Sequence, residues 1–150
     1  MLTNIMVKRK KFLMDKQKIG FTCSCFDLLH NGHILMLKDA KAQCDKLIVG
    51  LQTDPTIDRP EKNKPIQSIA ERYIQLEAVK YVDEIEIYTS ESELYDILCK
   101  IEPDVRILGT DYDIPDKRFT GDDLNILIYF HERDHDYSSS NLRKKLLENK

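Results

Sequence analysis

The chain has 150 residues, 41% hydrophobic and 33% charged, with a formal net charge of −3. That length suits one domain with its own core, and the composition is ordinary for a soluble globular protein. A weakly acidic chain creates no global field that would draw it to nucleic acid, so no nucleic-acid partner is expected.

Residues 1–17 carry Lys8, Arg9, Lys10, Lys11 and Lys16 against Asp15 alone, and are read as a basic extension ahead of a domain at 18–150. Such a stretch is a frayed terminus or a docking arm for an acidic partner or a membrane surface. No apolar run is long and charge-free enough for a signal peptide or a membrane span, so no membrane insertion is expected. Cys23, Cys25, Cys44 and Cys99 show no repeated CxxC spacing. They read as reduced thiols, which makes the expected location cytoplasmic.

From Lys18 onward strands and helices alternate. KIGFTC (18–23) is a short apolar run, and NGHILMLKDAKAQC (31–44) has apolar residues at helical intervals. KLIVGLQT (46–53) is nearly continuous in apolar residues, as in a strand buried on both faces. DPTIDRPEKNKP (54–65) is a proline-rich polar loop. SIAERYIQLEAVK (68–80) reads as a helix, with Ser68 and Glu71 in a capping-box pattern. VDEIEIY (82–88) is a strand, ESELYDILCKI (91–101) a helix and DVRILGT (104–110) a strand. DYDIPDKRFTGDD (111–123) is a loop, LNILIYF (124–130) a strand, and SSSNLRKKLLENK (138–150) a closing helix. This alternation predicts an α/β fold with a parallel sheet and helices on both faces. Leu35, Leu37, Ile48 and Val49 are expected in the core. Ligands gather at the carboxyl ends of such strands, which puts the loops 24–33, 53–65, 110–123 and 131–138 on one functional rim.

The rim segment FDLLHNGH (26–33) holds two of the four histidines. His30 and His33 sit three apart at a helix start, where free N–H groups and the helix dipole favour an anion. Gly32 leaves room for a phosphate to approach the backbone. Three readings stay open on spacing alone: phosphate chemistry, a metal site completed by His131 and His135, and a structural cap. His131 and His135 are otherwise read as unassigned rim or surface residues.

GFTCSCFDLLHNGHILMLKDAK resembles the signature of the HxGH nucleotidyltransferase superfamily, and is most similar to glycerol-3-phosphate cytidylyltransferases and their sugar-phosphate relatives. RDHDYSSS (133–140) resembles that family's second motif, RTEGIS followed by small hydroxyl residues. The likeness covers residues 18–147. Ser24-Cys25 stands where relatives have Gly followed by Thr or Val, and DHDY stands for TEGI. The stretch IEPDVRILGTDY also resembles heptose-phosphate adenylyltransferases.

The resemblance implies a Rossmann-like domain that joins CTP to glycerol 3-phosphate or a related polyol or sugar phosphate. Pyrophosphate is released, and magnesium is held mainly through the nucleotide phosphates. It implies a homodimer. An adenylyltransferase for a sugar phosphate and a catalytically silent nucleotide-binding protein are the alternatives. His30, His33, Lys64 and Arg133 match the catalytic positions. Thr22, Cys23, Ser24, Cys25, Asp27, Gly32, Asp111, Arg133, Ser138, Ser139 and Ser140 fall at the nucleotide. Asp27, Lys62, Lys64 and Arg72 fall at the acceptor. His30, His33, Lys64, Arg72 and Arg133 are the cations expected to face the triphosphate.

Overall fold

The computed structural model describes residues 16–149, so most of the basic extension lies outside the described residues. The elements follow the expected alternation: β1 (Ile19–Ser24), α1 (Asn31–Ala42), β2 (Lys46–Gln52), α2 (Ile69–Glu77), β3 (Glu84–Tyr88), α3 (Glu91–Ile101), β4 (Val105–Gly109), β5 (Leu127–His131) and α4 (Ser139–Glu148). A single 3-10 turn, Thr110–Tyr112, follows β4.

The five strands form one sheet in the order β3-β2-β1-β4-β5, and all four pairings are parallel. Succession runs outward from β1 to β3, then jumps back across β1 to β4. Right-handed crossovers in opposite directions must cover opposite faces. Accordingly α1 and α2 place Leu37, Ala40 and Leu76 against Leu47, Val49, Leu51, Val105 and Ile107 on one face. α3 places Leu94 and Leu98 against Phe21, Ile48 and Tyr88 on the other. Neighbouring Ile48 and Val49 point to opposite faces and are both buried, which explains the unbroken apolar run of β2. Each such side chain contributes about 1.5–3 kcal/mol.

Leu35 departs from expectation. It is 38% exposed, whereas Leu37 is fully buried. Two residues along a helix is a rotation of about 200°, so Leu35 lies almost opposite Leu37. Ser68 and Glu71 do cap α2 reciprocally, Ser68 N–H donating to Glu71 at 2.7 Å and Glu71 N–H to Ser68 Oγ at 3.2 Å.

The reversal of strand order falls between β1 and β4. The chain leaves their carboxyl ends in opposite directions there, and a crevice opens.

Candidate active site

That crevice is a cleft of about 910 Å³. Its lining includes His30, Gly32, His33, Asp111, Arg133 and Ser138 from three of the four rim loops, Lys62 from the fourth, and Ser139 and Ser140 from the start of α4.

His30 is the N-cap of α1, with extended backbone. Its Nδ1 accepts the Gly32 N–H at 3.0 Å, while His33 Nδ1 accepts the His30 N–H at 3.2 Å. Two imidazoles thus form the reciprocal box that Ser and Glu form elsewhere. Both Nδ1 atoms accept, so each neutral ring carries its proton on Nε2. The rings lie 3.9 Å apart, tilted by 34°. Burial, then the His30 and Arg133 charges, push His33 down to about 4, with Asp27 pulling weakly the other way. Burial and Arg133 also lower His30. His33 is therefore a neutral N–H donor at pH 7, not one of the expected cations. The structural cap is present, and it leaves the Nε2–H side of each ring without a hydrogen-bond role in the helix start. Among the described residues no group of three or more His, Cys, Asp or Glu is placed to hold a metal.

Gly32 lines the cleft and answers to protein packing. A Cβ there would meet His30 Cε1 at 2.8 Å, the Tyr137 carbonyl at 3.0 Å and His135 Cε1 at 3.1 Å. The 131–138 loop thus lies directly on the HxGH turn. His135 Nδ1 accepts the Tyr137 N–H at 3.2 Å. His131 is buried and meets Asp39 Oδ2 at 2.7 Å through Nδ1, and Tyr129 donates to the same carboxylate at 3.2 Å. His131 is buried and His135 half-buried, and both line the cleft as rim residues.

Asp27 sits between Phe26 and Leu28, both non-glycine residues at positive φ, 50° and 51°. This strained turn drives the carboxylate inward. Oδ1 accepts the Gln67 N–H, and Oδ2 accepts the Ile66 N–H and Arg143 Nη2, all at 2.8–2.9 Å. Burial alone would raise its pKa, but these donors outweigh it and hold the carboxyl below the usual range. The expected substrate ligand is committed to protein: it fastens the 53–68 loop and α4 to the HxGH turn.

Arg72 is a second correction. It is 2% exposed. Its guanidinium donates to the carbonyls of Gln67 (3.1 Å), Cys25 (2.9 Å), Gln52 (2.6 Å) and Thr53 (2.7 Å). It clamps three chain segments and does not line the cleft. Lys64 is exposed and also outside the lining, with its charge felt at Asp54. Lys62 is the loop lysine that reaches the cleft.

Thr22 is at the wall but donates through Oγ1 to the Ile107 carbonyl at 3.1 Å, tying β1 to β4. Cys23, Ser24 and Cys25 line the cleft floor, and burial pushes the Cys25 thiol up. Ser138 caps α4 by accepting the Asn141 N–H at 3.0 Å, and Ser139 Oγ donates to the Asp27 carbonyl at 3.3 Å. Two helix N-termini, of α1 and α4, therefore face one cleft.

Sequence reasoning missed Arg143, Arg106 and Arg59, all in the lining. Arg143 could have been found, since it follows Ser139 by four and so shares its helix face. Arg106 is a lone charge in an otherwise apolar strand, itself a signal. Arg59 sits in a polar loop and carried none.

The cytidylyltransferase-like family model matches residues 21–145. The chain is 42% identical over 99 residues to the bifunctional protein HldE of Paramagnetospirillum magneticum, covering 65% of this chain and 20% of that protein. It is 43% identical over 96 residues to HldE of Acidiphilium cryptum, covering 63% and 20%. The chain thus spans about one fifth of the length of these relatives. A lipopolysaccharide core biosynthesis protein from Thermoplasma volcanium superposes with a TM-score of 0.61 at 26% identity, over 82% of this chain and 100% of that one. No helix among the described residues is long and apolar enough to cross a membrane. The paired-histidine helix cap, the switch-point cleft and the family match place this chain in the cytidylyltransferase-like family of HxGH nucleotidyltransferases.

Proposed function

We propose that the protein transfers a nucleotidyl group from a nucleoside triphosphate to a sugar phosphate, releasing pyrophosphate. The observation that carries this reading is the pair of neutral imidazoles, each with Nε2–H left for a ligand, at one of two helix N-termini that line a single cleft. An oxygen of the acceptor phosphate forms a bond to the α-phosphorus. The bond from that phosphorus to the bridging oxygen breaks, and pyrophosphate leaves with the electron pair. No enzyme nucleophile is needed, so catalysis is positioning plus stabilisation of growing charge. His30 and His33 supply N–H donors to the α-phosphate oxygens, and Ser138 to Ser140 with Arg133 receive the outer phosphates.

Magnesium would enter with the triphosphate and would offset the charge that grows on the phosphates. Of the acidic lining residues described, Asp27 and Glu91 are committed to protein donors. Asp111 offers an uncommitted carboxylate to hold the ion.

ATP is the favoured donor. Supporting it are the HldE relatives, the resemblance of IEPDVRILGTDY to heptose-phosphate adenylyltransferases, and the structural likeness to a lipopolysaccharide core biosynthesis protein. CTP with glycerol 3-phosphate is the second reading, favoured by the SCFDLLHNGH segment. The test is pyrophosphate release with magnesium, pairing ATP, CTP, GTP and UTP with glycerol 3-phosphate, ribitol phosphate and heptose and hexose phosphates. Release with ATP and a sugar phosphate is the expected result. Release with CTP and a polyol phosphate moves the protein to the second reading, and binding without turnover on any pair refutes both.

A further inference from the structure

Arg106 is 3% exposed in the middle of β4. Its register partner is Phe21, whose own partner on β2 is Ile48. Arg106 therefore lies on the α3 face of the sheet, opposite the face that α1 covers. There Nη1 donates to the Thr120 carbonyl, Nη2 reaches Cys23 Sγ only at 4.0 Å, and the Phe119 ring lies 5.3 Å from Cζ. Nε has no partner. Among the described residues no carboxylate pairs with this guanidinium. Asp122, the acid whose titration Arg106 influences, is held by both donors of Arg118 at 2.5 and 2.9 Å. A buried cation without a counter-charge is costly, and a fold keeps one where an anion completes it.

Two further donors on this side of the cleft are unpaired, Gln52 Nε2 and Arg59 Nε. Gln52 is 2% exposed at the end of β2, and Arg59 donates to its Oε1 at 3.3 Å and to Glu91 at 3.5 Å. Two guanidiniums against one carboxylate leave this wall positive.

We propose that Arg106, on the side of the cleft that Gln52 and Arg59 also line, is the specificity-determining residue that takes the phosphate of the acceptor, across β1 from the triphosphate cradle. This rests on the nucleotidyl-transfer reading above. That reaction must seat two polyanions in one cleft, and the histidine side, with Arg133 and the start of α4, is taken up by the triphosphate. A planar guanidinium fork set apart from that cradle suits a phosphomonoester of a sugar or polyol.

The test compares acceptor and nucleotide KM for wild type, Arg106→Leu and Arg106→Lys. Loss of the fork should raise acceptor KM about tenfold or more, leave nucleotide KM within about twofold, and be partly restored by Lys. Equal rises in both KM values, or none, would overturn the assignment. If Arg106→Leu does not fold, Arg106→Lys and Gln52→Leu carry the comparison. Thermal shift with inorganic phosphate and with glucose 1-phosphate, without nucleotide, separates this inference from the reading beneath it. With no pyrophosphate release on any pair, nucleotidyl transfer fails. A phosphate shift in wild type that Arg106→Lys diminishes still supports the anion site, and a shift absent in wild type or equal in both overturns it.

Discussion

Arg72→Met retains the aliphatic stem of Arg72 and removes every N–H of its guanidinium. Four carbonyls lose donors at 2.6–3.1 Å: Gln52 and Thr53 at the end of β2, Cys25 in the HxGH turn, and Gln67 before α2. A single hydrogen bond to a charged group is worth about 1.5–3 kcal/mol, and bonds sharing one side chain are not additive. Removing one buried charged hub should therefore cost about 3–5 kcal/mol. In a domain of this size each kcal/mol moves Tm by about 2–4 °C, so the midpoint should fall by about 10 °C. Urea and thermal unfolding measure it, with acceptor KM determined well below the lowered midpoint. At that temperature the acceptor KM should stay near the wild-type value. An unchanged midpoint with a tenfold weaker acceptor KM would refute the clamp and restore Arg72 to the substrate.

His33→Ala should lower kcat by about a hundredfold or more, as loss of one preorganised donor does. Its stability cost should be only about 1 kcal/mol, the value of a helix cap, and comparable losses in both would mark His33 as a packing residue. Because the folded His33 titrates at about 4, below its ordinary 6.5, the unfolded chain takes up this proton first as pH falls. Its contribution is complete above about pH 6.5 and declines by up to about 3 kcal/mol towards pH 4. Urea midpoints across that window should fall more steeply in wild type than in His33→Gln, and parallel slopes would contradict the buried neutral imidazole. Gly32→Ala should abolish turnover, since the new Cβ would meet His30 at 2.8 Å and the Tyr137 backbone at 3.0 Å. Wild-type kcat in that variant would show that the HxGH turn yields more than its packing implies.

Local chemistry decided the elements from sequence alone, and the resemblance of two distant motifs implied the reaction class. The apolar run of β2 and the Ser68–Glu71 box each act within a few residues, so their spacing carries their meaning, whereas the paired histidines took theirs from the resemblance. The α/β alternation constrains the sheet because right-handed crossovers leave few topologies. The tertiary structure decided which polar side chains are free. The resemblance implied that Asp27 and Arg72 are substrate ligands. The structure commits one to Ile66, Gln67 and Arg143 and the other to four carbonyls, partners mostly far away in sequence. It also set His33 neutral, since burial is a property of the folded whole. Arg106 shows the division most plainly. Its charge is visible in DVRILGT, but only the packing of α3 and the 113–126 segment over β4 makes that charge buried and unpaired.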